Sequence, residues 1–157
     1  KQNSESNDTI YVWGWVPGIY VAAQRMSPAP KAFEGTMHTL APKVLSERVT
    51  EILDAFKENP PKFIVDSRKN HFPWDRPPLE LWPFVGQGSP YSDERGFLST
   101  DKEKIREFDQ MYSTLLRQKI EPVEALRFEA MAPFREYVMT NYTIVRPFGQ
   151  HILFRRK

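Results

Sequence analysis

Two short apolar segments of the sequence are each followed by residues that could bind a ligand. Residues 10–13 run into Gly-Trp, and residues 62–66, which end on an aspartate, run into Ser-Arg. If the two segments are neighbouring parallel strands, their carboxyl ends meet at one edge of a sheet, where open α/β sheets bind ligands. Aromatic rings there would stack on a sugar, and charged groups would orient hydroxyls or phosphate. The residues that we expect at this edge are Trp13, Trp15, Tyr20, Asp66, Arg68, His71, Trp74, Asp75 and Arg76.

The same residues also have a purely structural interpretation. Large aromatic side chains at strand ends usually belong to the core, and Asp66 could simply pair with Arg68 or Arg76. His71 and Asp75 have the residue types of an acid–base pair, but a single histidine in a polar loop is more often only exposed. Both interpretations are open at the level of sequence.

Familiar catalytic and cofactor motifs are absent from the sequence. Gly14 and Gly18 lack the third glycine of a dinucleotide loop and the Lys-Ser/Thr of a P-loop, and Ser67 is not in a Gly-x-Ser-x-Gly motif. There is no cysteine, and the histidines do not have the spacing of metal ligands. We therefore expect no cofactor and no metal; the histidines are His38, His71 and His151.

Composition places the chain among single globular domains. It has 157 residues, with 22 basic and 20 acidic residues and a net charge of +2, a balance that argues against nucleic acid as a partner. The one basic cluster is residues 155–157, which we interpret as a solvated tail, with a lipid headgroup or phosphate site as the alternative.

The longest uncharged run, residues 10–23, is shorter than a membrane span and is broken by Gly and Pro. Residues 1–8 are polar and predict a linker, and the first residue is not Met, so we expect a piece of a longer protein.

Hydrophobic spacing predicts the elements of the first half. Residues 10–13 predict a strand, and Pro17 is suited to the first turn of a helix toward Arg25. Residues 43–57 have apolar side chains at helical spacing, and residues 62–66 predict a buried strand. Strand, helix and strand in this order predict a parallel pair joined by a right-handed crossover.

The second half is predicted to contain a long irregular excursion at about residues 70–100, with a helical turn near residues 79–84. A helix is expected from 101 to about 117, capped by Ser99 or Thr100, and a further helical segment at 123–140 is interrupted by Pro133. The end of the chain predicts a hairpin at a sheet edge. The fold class is therefore α/β: residues 9–157 form a single layered domain with a mainly parallel sheet, a Rossmann-like crossover and a C-terminal antiparallel hairpin.

Several of these segments carry a family resemblance. They are Val-Trp-Gly-Trp-Val-Pro-Gly-Ile-Tyr at 12–20 with Gln-Arg at 24–25, Asn-Pro-Pro-Lys-Phe-Ile-Val at 59–65, Tyr142, and Ile-Leu-Phe-Arg-Arg at 152–156. Together they resemble the soluble extracytoplasmic C-terminal domain of polytopic bacterial membrane glycosyltransferases, those similar to dolichyl-phosphate-mannose protein mannosyltransferases and to the aminoarabinose transferase of lipid A. The resemblance covers roughly residues 1–66 and 134–157.

The resemblance implies sugar transfer from a polyprenyl-phosphate carrier, with catalytic acids in loops between transmembrane helices that this chain does not contain. This domain would then be a noncatalytic accessory on the periplasmic side of a bacterial membrane, as part of an integral membrane protein. Its implied partners are the transmembrane part of its own parent chain and a lipid-linked sugar or glycan acceptor. Trp15 and the insertion at residues 71–80 depart from the family pattern.

Two other functions are compatible with the sequence. One is a free-standing α/β enzyme that uses Asp66, His71 and Asp75, and the other is a carbohydrate-binding module that uses Trp13, Trp15 and Trp74.

Overall fold

The computed structural model of the chain describes residues 4–31, 35–68, 76–82, 85–149 and 151–157, without the side chains of 146–148. Its strands are β1 Ile10–Trp13, β2 Phe63–Asp66, β3 Tyr142–Phe148 and β4 His151–Arg156. They form a mixed sheet in the order β1-β2-β4-β3. The helices are α1 Gly18–Ala23, α2 Pro42–Glu58, α3 Lys102–Lys119, α4 Pro122–Ala130 and α5 Ala132–Asn141, with a short 3-10 helix at Met37–Thr39.

The sheet combines one parallel and two antiparallel pairings. β1 and β2 are parallel and are connected through α2, while β4 is antiparallel to both β2 and β3. The α/β class and the C-terminal hairpin agree with the sequence, but the expected mainly parallel sheet is not confirmed. The reason is that the hairpin does more than close an edge: its second strand, β4, lies directly beside β2, and its two strands together make up half of the sheet.

The helix predictions agree with the structure in position and differ in their ends. α2 buries Leu45, Val49, Ile52 and Phe56 along one face, which is the face that the sequence pattern indicates. α3 is capped by Asp101, whose carboxylate accepts hydrogen bonds from the backbone N–H groups of the first turn, and not by Ser99 or Thr100.

The predicted interruption near Pro133 is present. α4 ends at Ala130 and α5 begins at Ala132, so that Pro133 lies in the first turn of α5, where a missing N–H is tolerated. The helical turn expected at 79–84 is not formed at residues 79–82, and residues 83–84 lie outside the described part. Among the described helices, none is both long enough and apolar enough to cross a membrane.

The two faces of the sheet are covered unequally. Alternate residues of β1 point to opposite faces, so Tyr11 and Trp13 join the large core formed with α2, α4 and α5, while Ile10 and Val12 join a small cluster with Tyr20 of α1. Among the helices that the structure describes, the longer ones therefore form a layer on one face, and α1 packs on the other.

The carboxyl ends of β1 and β2 approach each other closely. The Ser67 N–H donates to the Trp13 carbonyl at 3.1 Å, which extends the parallel ladder one residue beyond the end of β2. Gly14 has φ +101°, and a Cβ atom placed on it would lie 2.2 Å from the Ser67 Oγ. Position 14 therefore needs glycine both for its backbone conformation and for the space beside it.

We predict that Gly14→Ala lowers the free energy of unfolding by about 2 kcal/mol, because it combines a disfavoured φ with this contact. Urea unfolding measures the change. Gly18→Ala is the matched control, because no atom outside its immediate chain surroundings lies within 4 Å of its added methyl group. Adding Ser67→Ala to Gly14→Ala should restore only part of the loss, since the backbone strain remains. A Gly14→Ala protein as stable as the wild type would contradict this account.

Candidate functional site

The structure brings some of the predicted edge residues together and uses others in packing. Gly14 and Ser67 meet at the β1–β2 edge, and Trp15 and Arg68 lie there exposed to solvent. Trp13, Tyr20 and Asp66 are buried, and Arg76 lies in an ion pair elsewhere. His71, Trp74 and Asp75 lie outside the described residues.

Trp13 is part of the aromatic core. Its ring centroid lies 5.3 Å from that of Phe134 and 6.2 Å from that of Trp82, and the side chain is almost fully buried. Trp82 also packs against Phe154, at 5.9 Å between centroids. Trp13 therefore exposes no ring face on which a sugar could stack.

Tyr20 stabilises the free edge of β1. β1 is the outermost strand, so alternate N–H groups point away from the sheet and need partners. The Tyr20 hydroxyl accepts the Val12 N–H at 2.8 Å, and the Met26 carbonyl accepts the Ile10 N–H at 3.1 Å. The sequence offered no sign of this edge role, because it depends on β1 having no strand on its outer side.

Asp66 is a buried acid at the end of β2. Its side chain points into the large core, 2% of the residue is exposed, and its carboxylate accepts the Arg68 N–H at 2.9 Å. Burial, reinforced by the negative charge of the buried Glu80, raises the pKa of Asp66 to about 7, against the opposing effects of Arg68 and the Trp82 indole. Asp66 therefore holds a proton below neutral pH, which suits both a general acid and a neutral structural group.

His151 is a member of this edge that the sequence analysis considered only as a metal ligand. It begins β4, whose residue Ile152 pairs with Asp66, so the start of β4 lies beside the end of β2. The His151 Nδ1 lies 2.8 Å from the Ser67 carbonyl oxygen. A carbonyl only accepts, so Nδ1 carries the proton in this contact. Antiparallel pairing of β4 with β2, which the sequence did not indicate, is the signal that would have found it.

Among the edge residues that the structure describes, Asp66 included, Arg76 pairs with none, and its hydrogen bond and ion pair are with Glu124 on α4. Its guanidinium contacts Glu124, whose carboxylate also accepts from Arg127 at 2.6 Å. Arg127 in turn donates to the Leu40 carbonyl at 2.7 Å. This cluster connects two segments to α4: the excursion, through Arg76, and the segment before α2, through Leu40. Arg76 therefore has a structural role.

A second concave surface, which the sequence analysis did not foresee, lies between α3 and the α4–α5 pair. The groove has a volume of about 660 Å³, and Arg135 and Asp109 lie in its floor. Arg135 donates to the carbonyls of Leu79 and Phe128 at 3.0 and 2.8 Å, and its other nitrogen lies 2.9 Å from an Asp109 oxygen. Its guanidinium also covers the Phe128 ring at 3.7 Å. Burial lowers the pKa of Arg135, but an arginine remains charged inside proteins, so the floor is a buried ion pair.

Neither surface has the donor set of a metal centre: within the described ranges, no three His, Asp or Glu side chains are grouped so that they could hold an ion. The chain gives no match when it is compared with protein-family models, with curated proteins and with solved structures. The resemblance therefore rests on its own motifs, and the function that it implies is a proposal.

The raised pKa of Asp66 predicts that stability falls with rising pH. Because the folded protein keeps this proton up to about pH 7 and the unfolded chain releases it near its ordinary pKa, the folded state loses stability between about pH 4 and 7 and regains none above. Asp66→Asn keeps an acceptor for Arg68 and removes the charge, so its unfolding free energy should fall less over this range. Urea unfolding at several pH values measures the slope. An Asn variant that becomes less stable than wild type as the pH rises would show that the carboxylate is ionised and paired.

We also predict that Arg135→Met lowers the unfolding free energy by about 3 kcal/mol, because it leaves Asp109 without its cation and removes the side-chain donor from the Leu79 and Phe128 carbonyls. Arg135→Lys keeps the charge but cannot reach all three elements, so its loss should be intermediate. Arg117→Met, at a half-exposed pair with Glu129 on the same groove, is the control and should change stability by less than about 1 kcal/mol. Equal effects at Arg135 and Arg117 would contradict the structural role of the floor.

Proposed function

We propose that this chain is a noncatalytic, extracytoplasmic accessory domain of a membrane glycosyltransferase-like protein that transfers sugar from a polyprenyl-phosphate carrier. The observation that carries the proposal is a concentration of exposed apolar side chains in the segment after β1. Trp15 is 52% exposed, Val21 79% and Met26 78%. Such residues are ordinary when scattered, but several within one short segment indicate a contact surface.

Hydrogen bonds to β1 fix the backbone that carries these exposed side chains. The Tyr20 hydroxyl and the Met26 carbonyl both bind N–H groups of β1, and the Tyr20 carbonyl accepts the Arg25 N–H at 3.2 Å. Tyr20 points inward from α1, and its neighbour Val21 points outward. The apolar groups are therefore fixed on the outside of a backbone that is tied to the sheet.

The transmembrane part of the parent chain is the partner that we propose for this segment. The segment is the one that resembles the turn following the last transmembrane helix of the family. Tryptophan suits such a position because its ring is apolar and its N–H still reaches water or headgroups. Contact there would hold the domain on the periplasmic side, near the lipid-linked sugar or the glycan acceptor. As part of the same proposal, we interpret the parallel β1–α2–β2 unit as a crossover of the Rossmann type.

A noncatalytic role is supported by the positions of Trp13 and Asp66, the two residues best suited to binding or acting on a sugar. Trp13 packs in the aromatic core, and Asp66, its partner in the β1–β2 register, is buried, so both have structural roles. The second candidate, a free-standing α/β enzyme, is favoured by one observation, the raised pKa of Asp66 beside Glu80. The two candidates differ in the effect of Asp66→Asn, which would abolish turnover in the enzyme and leave sugar transfer by the parent protein unchanged.

Photo-crosslinking tests the proposed contact. We expect p-benzoylphenylalanine in place of Trp15 or Val21, in the full-length parent protein in its native membrane, to crosslink to peptides of the transmembrane part, because these side chains would face it. Leu126 on α4 and Leu115 on α3 are matched controls, exposed to 46% and 42% but in the helical layer. A parent protein without transmembrane segments, or equal crosslinking from the controls, would contradict the proposal.

A further inference from the structure

A basic cleft lies at the end of the sheet opposite to Gly14 and Ser67. It has a volume of about 400 Å³ and lies where β1 and β2 begin and β4 ends. Its charged residues are Lys62, Arg155, Arg156, Lys157 and Asp8. Lys62 is far in sequence from residues 155–157, and the fold brings it beside them, so that four basic residues line the cleft.

The sheet fixes the backbone of these residues. The Arg156 N–H donates to the Lys62 carbonyl at 3.0 Å, and Arg155 pairs with Phe63 in the β2–β4 ladder. Arg155 and Arg156 are successive residues of a strand, so their side chains leave opposite faces. They therefore flank the end of the sheet next to Lys62, the residue before β2. Both side chains are exposed, as a solvated tail would be, but they belong to β4 and not to a tail.

The charges of the cleft are only partly compensated. The Lys62 ammonium lies 2.7 Å from an Asp8 oxygen, and this hydrogen bond lowers the pKa of Asp8, which therefore stays ionised and holds Lys62 in place. Among the residues that the structure describes, no carboxylate lies within ion-pair distance of Arg155 or Arg156. The Lys157 ammonium donates to the Thr140 carbonyl at 2.7 Å. The positive charge of Arg155 and Arg156 is therefore the part that favours the entry of an anion.

We propose that this cleft binds a phosphate group, carried either by a soluble phosphorylated compound or by a lipid headgroup. Guanidinium groups donate two parallel hydrogen bonds to phosphate oxygens, and an ammonium adds a point charge. The volume falls within the range of ligand pockets and leaves room for a further group beside the phosphate. The site is independent of the function proposed above, because it lies at the other end of the sheet and needs no membrane-bound parent.

Two binding measurements on the 157-residue chain distinguish the sources. Calorimetric titration with inorganic phosphate and with pyrophosphate tests a soluble ligand. Co-sedimentation with phosphatidylcholine vesicles, with and without phosphatidic acid, tests a headgroup. We expect saturable binding in at least one arm, weakened by added salt because the contacts are ionic.

Substitutions locate the binding. Arg155→Gln should weaken it about tenfold, the effect of one lost charge-assisted hydrogen bond, and Lys62→Gln should weaken it further. Lys104→Gln, an exposed cation on α3 that loses the same charge, should leave it unchanged. Arg155 is exposed at the strand end, so Arg155→Gln should keep the wild-type unfolding curve. Lys62→Gln loses the Asp8 pair and could be unstable for that reason. In that case the binding of Arg155→Gln alone tests the proposal. Binding in neither arm, or binding that Arg155→Gln and Lys104→Gln weaken equally, would overturn the proposal.

Discussion

The packing of the Trp82 indole over the carboxyl ends of the strands is the contact on which the arrangement of this domain depends. Its ring lies 5.2 to 6.2 Å from the rings of Trp13, Phe134 and Phe154, so it joins β1, α5 and β4. The excursion that contains Trp82 also contributes Leu79, whose carbonyl accepts from Arg135, and Glu80, whose charge acts on Asp66. The described residues of this excursion form no helix or strand beyond isolated bridges, one of them between Ser92 and Leu98. They nevertheless close the core at the edge where an open α/β sheet would otherwise bind a ligand.

This closure decides how the apparently reactive residues are used. Trp13 stacks in the core, Asp66 keeps a proton in the interior, and Tyr20 holds the outer edge of β1. These side chains, which the sequence suggested for chemistry, therefore stabilise the fold. The apolar segment after β1, the groove between α3 and the α4–α5 pair, and the basic cleft at the opposite end of the sheet remain open to solvent. A domain of this kind is suited to making contacts with partners, which is the reason for proposing an accessory function.

Sequence patterns predicted the helices and their ends, because these depend on residues that are close to one another in the sequence. The apolar spacing of α2 and the prolines around residues 59–61 define a helix and its end, and the break before Pro133 follows from the missing N–H. The sheet was harder: which strand lies beside β2 depends on contacts between residues far apart in the sequence. The insertion of β4 there placed His151 beside Ser67 and Arg155 near Lys62, and neither neighbourhood has a sequence signal. Arg135 was missed for a similar reason, since its partners belong to three different segments.

The ionisation of Asp66 is the measurement that tests this account most directly. Titration of its carboxyl carbon by ¹³C NMR in the folded protein reports the pKa of this side chain alone. If the excursion closes the edge as described, burial and Glu80 raise that pKa to about 7. A pKa near 4 would show that the carboxylate is solvated, that the edge is open, and that the residue is free for chemistry.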